Sequence, residues 1–128
     1  GEGSQRRGLI NLKDAIKCVE LYINSPAIGY RRFNQLCEQD LTIEELAHLV
    51  LTIASSKHNL NTEIQKIVNP RVEKEQHYYK VDCDKIKQLG LVSHNLHEEI
   101  DNMFISLKPY ANNIKKDIIL PDLMLLIY

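Results

Sequence analysis

The stretch from Thr42 to about Ser56 constrains the fold of this chain more than any other. Thr42 and Glu45 have the spacing of a capping box, in which the two residues bond each other's backbone N–H at a helix N-terminus. Apolar residues then recur every three or four positions, at Ile43, Leu46, Ala47, Val50 and Ala54. The pattern predicts an amphipathic helix whose apolar stripe has to pack against another element.

A helix is also predicted over residues 15–24. Asp14 precedes it and is the expected N-cap, because its carboxylate can accept an unpaired backbone N–H of the first turn. One face of this helix carries Ile16, Val19 and Ile23. Ser25-Pro26 ends it, since the residue before a proline avoids the helical conformation.

Two more helices are predicted in the second half of the chain. Residues 84–89 form a short helix closed by Gly90, which suits the left-handed position after a helix. Asn95 and Glu98 form a second candidate capping box and open a helix that Pro109 stops.

Four short segments are predicted to be strands, namely residues 8–12, 30–35, 63–68 and 77–81. Helices and strands that mix in this order indicate an α/β (mixed α+β) unit. A length of 128 residues predicts a single domain over residues 1–128.

Charge and hydropathy exclude two classes of partner. The 16 Lys and Arg nearly balance the 17 Asp and Glu, so the chain lacks the basic field of a dedicated nucleic-acid binder. No apolar run approaches the ~20 residues of a membrane span. Three widely spaced cysteines argue against a disulfide framework and favour a reducing, cytoplasmic location.

The sequence contains no self-contained catalytic or metal site. His94 and His97 are three residues apart, but the predicted cap at Asn95 separates them and no cluster nearby supplies further ligands. Cys18 and Cys83 have apolar neighbours, where burial blunts thiol reactivity. The sequence therefore assigns no catalytic residue, no metal and no cofactor contact to this chain.

Two arginines are candidates for binding a phosphate. Arg7 precedes a predicted strand in a glycine-rich segment, and Arg71 lies in a polar loop with Glu73 and Glu75. A guanidinium matches phosphate oxygens bidentately, and a carboxylate accepts from ribose hydroxyls. Taken alone, each of the two segments is better explained as a solvated surface turn or loop.

Several segments together resemble a known family. These are residues 3–8, 33–35 and 42–47, followed by Asn-Pro-Arg-Val-Glu at 69–73 and His-Tyr-Tyr at 77–79. They are similar to the C-terminal part of NAD-dependent sugar-nucleotide epimerase/dehydratases, the extended short-chain dehydrogenase/reductase family. The last two pieces point to its sulfoquinovose branch.

The resemblance implies a substrate site for a UDP-sugar. Arg7 and Arg71 are expected to hold the nucleotide diphosphate, and Glu73 or Glu75 is expected to reach the ribose. Tyr78 is expected on a strand of the substrate-binding lobe, while residues 33–34 are assigned to an edge strand of the cofactor-domain sheet.

The family's glycine-rich NAD fingerprint and Tyr-x-x-x-Lys pair are both absent from these 128 residues. The resemblance therefore implies the C-terminal substrate-binding portion of an extended short-chain dehydrogenase fold, without the N-terminal Rossmann half. NAD would belong to the full-length parent.

Two functional hypotheses remain open at this point. In the first, the chain is the UDP-sugar-binding portion of such an enzyme and is inactive alone. In the second, it is a non-catalytic interaction or self-assembly module derived from that fold. The expected partners are accordingly a UDP-sugar, and either a second copy of the chain or the missing N-terminal half.

Overall fold

A computed structural model describes residues 3–26, 28–35, 40–66 and 81–115. Within these ranges the chain forms a two-stranded sheet, four α-helices and one 3₁₀ helix, which confirms the predicted mixed α/β class. In chain order the elements are β1 (Arg6–Gly8), α1 (Leu12–Ile23), β2 (Asp40–Thr42), α2 (Ile43–His58), α3 (Asp84–Gln88), α4 (Leu96–Leu107) and the 3₁₀ helix (Lys108–Asn113).

The predicted cap of α1 is wrong by one turn. Asn11 is the N-cap, and its Oδ1 accepts the backbone N–H of Asp14 at 2.8 Å. Asp14 is therefore the third residue of the helix rather than the residue before it. Its carboxylate is fully buried, where it accepts from the side chain of the cap residue Asn11 and from the backbone N–H of the distant His94.

The predicted capping box of α2 is confirmed. Thr42 Oγ1 accepts the backbone N–H of Glu45 at 3.0 Å, and Glu45 Oε2 accepts the backbone N–H of Thr42 at 2.7 Å. The helix ends at His58, two residues beyond the predicted end, where Asn59 adopts a left-handed conformation with φ of 53°.

The other two predicted helices are also present. Gly90 follows α3 with φ of 100°, as its predicted left-handed position requires. Asn95 caps α4, but its side chain accepts from the backbone N–H of His97 and not from that of Glu98. Pro109 lies inside the 3₁₀ helix, so the chain continues helically past the residue expected to stop it.

The predicted strands agree with the structure less closely than the predicted helices do. β1 and β2 pair antiparallel with Arg7 opposite Leu41, and β1 lies nearer the N-terminus than the predicted strand at 8–12. Residues 30–35 and 63–66 have no regular secondary structure. A strand needs a neighbour for its backbone groups, and no described strand lies beside either segment. Residues 67–68 and 77–80 lie outside the described residues.

The core has two parts. Cys18 of α1 packs with Cys83, Ile86 and Leu91 around α3, which joins the N-terminal helix to the second half of the chain. α2 packs on α4, and there the buried side chains are Ile53, Ala54 and Ile100. None of the helices described above has the length and apolar character needed to cross a bilayer.

Candidate functional site

Strand β1 carries two consecutive arginines with different surroundings. Successive residues of a strand point to opposite faces. Arg6 donates from Nη2 to the carbonyl oxygen of Asp40 at 2.9 Å, and its guanidinium also lies near the Asp40 and Glu45 carboxylates. Arg6 therefore ties β1 to β2 and to the start of α2.

Arg7 is the predicted diphosphate ligand, and its guanidinium is exposed. Within the described part of the chain it makes one hydrogen bond, at 3.4 Å, to the side-chain oxygen of Gln5. That bond is long, and it leaves most of the five N–H donors of the fork directed to solvent. Arg7 can accordingly meet an anion without breaking an ion pair.

The position of β1 is set by the segment before it. Gln5 and Gly3 accept, through their carbonyl oxygens, the backbone N–H groups of Ile43 and Glu44, each at 3.0 Å. Gly3 has φ of 79°, and a Cβ placed there would lie 3.1 Å from the Cβ of Glu44. Glycine is favoured because a side chain would be strained at this φ and would have to displace Glu44 by a few tenths of an ångström.

The N-terminus of α2 is therefore not an anion site. Its first amides donate to Gln5, Gly3 and the Thr42 side chain, so none points freely at a ligand. The carboxylates of Glu44 and Glu45 also lie at this end of the helix. The hydrogen bond from Lys66 lowers the pKa of Glu44, and the backbone hydrogen bond from Thr42 lowers the pKa of Glu45.

The remaining predicted ligands, Arg71, Glu73, Glu75 and Tyr78, lie outside the described residues. Of the described residues that flank this segment, Lys66 donates to Glu44 at 2.8 Å, and Val81, like Ile10, packs against the core cluster around α3.

The hydrogen bonds between Asp14 and His94 were not predicted from the sequence. Asp14 Oδ2 accepts the backbone N–H of His94 at 3.0 Å, and Oδ1 lies 2.5 Å from the ring Nδ1. The signal was present, because Asp14, Cys18 and Leu21 share one helical face that turns inward. A carboxylate on a buried face requires a polar partner.

Other chemistry-bearing groups have structural partners. His58 hydrogen-bonds Asp101 at 2.8 Å and stacks on Phe104. Cys18 and Cys83 are buried, and the Cys83 thiol donates to the carbonyl oxygen of Val81 at 3.8 Å. Among the described residues, no group of three or more metal-ligating side chains converges. His48 of α2 is exposed.

The sequence of the chain is similar to those of two curated proteins. No protein-family model matches it. The chain is 39% identical over 125 residues to the chloroplastic UDP-sulfoquinovose synthase of Spinacia oleracea, across 95% of its own length. It is 36% identical over 126 residues, or 94% of its length, to the UDP-sulfoquinovose synthase of Sulfolobus acidocaldarius. This chain resembles a part of UDP-sulfoquinovose synthase.

The match covers only a piece of these relatives. The chain spans 26% of the length of the spinach UDP-sulfoquinovose synthase and 32% of that from Sulfolobus acidocaldarius. The resemblance predicted from the sequence is confirmed, and the four helices and two-stranded sheet fit a partial fragment of an extended short-chain dehydrogenase.

The residues described here do not fit the NAD that the resemblance implies. A dinucleotide pyrophosphate binds free amides of a helix that follows a glycine-rich turn. The three longest described helices instead have side-chain caps, from Asn11, Thr42 and Asn95. Nothing in the described part of the chain is therefore assigned to NAD.

Proposed function

We propose that this chain supplies the UDP-sugar-binding portion of a UDP-sulfoquinovose synthase-like protein of the NAD-dependent epimerase/dehydratase type. The observation that carries the proposal is the contrast between Arg6 and Arg7 on β1. Arg6 is held by Asp40 and Glu45, whereas Arg7 is exposed and bonds weakly to Gln5. Arg7 is the arginine free to bind the diphosphate.

The other ligands of the proposed site are Arg71, Glu73, Glu75 and Tyr78. The resemblance supplies their roles, with Arg71 on the diphosphate and one of the glutamates on the ribose. On one diphosphate, the guanidiniums of Arg7 and Arg71 would neutralise the two phosphates.

Arg7→Ala tests the proposal by calorimetric titration with UDP-glucose and, separately, with uridine. A hydrogen bond to a charged group contributes about 1.5–3 kcal/mol, so the dissociation constant for UDP-glucose should rise roughly 10- to 100-fold. Binding of uridine should not change, because uridine has no diphosphate.

Arg32→Ala is the matched control, since Arg32 is also exposed and has no ion pair with a described residue. It should leave both affinities unchanged. The proposal is wrong if the unmodified chain binds no UDP-glucose at millimolar concentration, or if Arg7→Ala and Arg32→Ala weaken binding equally.

The isolated chain is proposed to be inactive and to bind no NAD, since NAD would be held by the full-length parent. Mixing it with NAD and UDP-glucose should give no change in absorbance at 340 nm. The buried thiols of Cys18 and Cys83 support a reducing compartment, and we propose the cytoplasm.

A self-assembly role is the second candidate, and one surface favours it. Met103, Leu107, Tyr110 and Ile114 are exposed at spacings of three and four along α4 and the 3₁₀ helix. Exposed apolar stripes of this kind favour association. Sedimentation equilibrium at rising concentration tests this role, and a chain that remains monomeric would exclude it.

A further inference from the structure

A basic cleft lies between residues 30–34 and helix α3. Its larger part is a cavity of about 470 Å³, and the polar side chains that line it are Arg31, Arg32, Lys85 and Gln88. A smaller cavity of about 250 Å³ adjoins it and shares Arg32 and Lys85 with it. Small-molecule sites in proteins have volumes of ~300–1,000 Å³, so the cleft has the size of a site for a small ligand.

The cations of this cleft have no carboxylate partner. In the part of the chain that the structure describes, Arg31, Arg32 and Lys85 form no ion pair. Asp82 lines the smaller cavity, and its Oδ1 accepts the backbone N–H of Asp84 at 2.8 Å. Three cations and one carboxylate give the described lining a net charge of +2, whereas the whole chain carries −1. A concave surface with such an excess of positive charge attracts an anion.

Arg31 is held in place by two neutral groups. Its Nη2 donates to Ser25 Oγ at 2.7 Å, and its guanidinium carbon lies 5.4 Å from the centre of the Phe33 ring. Neither contact neutralises the guanidinium, and a cation over an aromatic ring is itself favourable. Phe33 in turn meets Tyr22 of α1 edge to face, with ring centroids 5.4 Å apart. Arg31 is thus positioned before a ligand binds, which reduces the entropy lost on binding.

The backbone on both sides of the cleft is also fixed. Asn34 Nδ2 donates to the carbonyl oxygen of Asp82 at 2.7 Å, which joins residues 30–34 to the segment before α3. Ile86 of α3 is buried in the core cluster, so Lys85 projects from an anchored helix. The side chains of Arg32 and Lys85 are exposed and can adjust to a ligand, while the two backbone segments that carry them stay in place.

We infer that this cleft binds a small phosphomonoester, whose terminal phosphate is held by Arg31, Arg32 and Lys85. A phosphomonoester carries a charge of about −1.5 to −2 at pH 7, which matches the net charge of the lining. A guanidinium donates to two phosphate oxygens at once, and an ammonium group adds a further donor. Tyr30 and Leu89 form the apolar part of the wall and would contact the organic group.

The inference goes beyond the proposed function, because the cleft contains no residue of β1 and none of the proposed UDP-sugar ligands. A UDP-sugar is also the wrong ligand for it. Each phosphate of a UDP-sugar is bonded on two sides and carries one charge, so neither is a terminal dianion. The two sites should therefore differ in their ligands and in the substitutions that weaken them.

The test is a titration of the ¹⁵N-labelled 128-residue chain with phenyl phosphate, followed by the amide shifts in NMR spectra. The amides of residues 30–34 and 85–89 should shift together and saturate at about millimolar concentration. Phenyl sulfate has the same shape with one charge fewer, and it should bind roughly fivefold more weakly. Phenol should not shift these amides, because it lacks the anionic group.

Arg32→Ala and Lys85→Ala should each weaken the binding of phenyl phosphate roughly tenfold, since each removes a hydrogen bond to a charged group. Both side chains are exposed, so the chain should stay folded. Lys115→Ala is the matched control, because Lys115 is exposed, has no ion pair with a described residue and lies outside the cleft. It should leave the binding unchanged. Arg7→Ala should also leave it unchanged while weakening UDP-glucose.

Three results would each overturn the inference. The first is the lack of a saturable shift at residues 30–34 and 85–89 with phenyl phosphate. The second is equal binding of phenyl phosphate and phenyl sulfate, and the third is an equal loss for Arg32→Ala and Lys115→Ala. None of them bears on the UDP-sugar site, whose failure appears in the calorimetric titration with UDP-glucose.

Discussion

The carboxylate of Asp14 on α1 holds His94, which precedes α4, by two contacts. Its Oδ2 accepts the His94 backbone N–H at 3.0 Å, and its Oδ1 lies against the ring Nδ1. Asn11 also donates to Asp14 at 2.9 Å. The acid is thus fully buried with its oxygens bonded, and it fixes the approach to α4 against α1.

Asp14→Ala should destabilise the chain by about 1–3 kcal/mol, because it removes the buried acceptor of the His94 backbone amide and leaves that amide unsatisfied. Asp14→Asn should cost less, since its side-chain oxygen still accepts one hydrogen bond. Urea unfolding followed by circular dichroism measures both. Glu20→Ala is the control, and it should change stability by less than about 0.5 kcal/mol because the Lys17–Glu20 pair is exposed. Equal losses for Asp14→Ala and Glu20→Ala would refute the role given to Asp14.

The carboxyls of Asp101 and Glu99 should respond separately to removal of their lysines. The hydrogen bond from Lys57 lowers the pKa of Asp101 from its ordinary value of 3.8, and that from Lys13 lowers the pKa of Glu99 from 4.5. Lys57→Met should raise the pKa of Asp101 alone, and Lys13→Met that of Glu99 alone. Carboxyl ¹³C titration by NMR measures both values in each variant.

The sign of the pH dependence follows from these shifts. A carboxyl whose pKa is lower in the folded state stabilises the fold above its ordinary pKa, and that contribution is lost as the pH falls through the folded value. Stability should therefore fall on acidification below about pH 4.5, and less steeply in the two lysine variants. An unchanged acid limb in both variants would contradict this account.

Gly3→Ala should release the segment before β1 from α2. The new Cβ would meet Glu44 at 3.1 Å, in addition to the cost of a positive φ. Hydrogen exchange of the Ile43 and Glu44 amides, which donate to this segment, should accelerate. Gly29→Ala is the matched control, because Gly29 has φ of 100° with nothing within 4 Å of an added Cβ. Exchange at Ile43 and Glu44 should not change in that variant, and an equal acceleration would rule out the close contact as the cause.

Thr42→Ala should cost about 1 kcal/mol of stability, because it removes the side-chain oxygen that caps Glu45. Thr52→Ala is the comparison within the same helix. The Thr52 hydroxyl bonds the His48 carbonyl inside the helix, so its loss should be neutral or slightly stabilising. Thermal unfolding of the two variants measures the difference, and equal melting temperatures would show that the box adds nothing.

Local signals predicted the helices well. Thr42 and Glu45 specified the start of α2, and Gly90 the end of α3, because the bonds involved lie within a few residues. The same reasoning was wrong for Asp14. The i, i+4, i+7 spacing of Asp14, Cys18 and Leu21 indicates a buried face, but the partner of the acid, His94, is remote in sequence and could not be identified locally.

A strand needs a neighbouring strand to bond its backbone groups. The conformation of residues 30–35 could therefore not be predicted from their own sequence pattern. For the site, the choice of Arg7 came from its place before a predicted strand, whereas the structure places it within β1 with an exposed side chain. Its role as a diphosphate ligand stays a prediction. Arg6 forms ion pairs with Asp40 and Glu45. Because only folding brings these two residues to Arg6, its pairing could not be predicted from the sequence. The predictions for Arg71, Glu73, Glu75 and Tyr78 stay predictions.

The contact between Asp14 and His94 also limits the order in which parts of the chain can fold during synthesis. The two residues are 80 positions apart, so the buried acid cannot find its partner until most of the described chain has been synthesised. Closing so large a loop is slow compared with forming a helix. On the ribosome, α1 would form before the partner of its carboxylate exists, and the emergence of residue 94 would set the earliest moment at which Asp14 can bond His94.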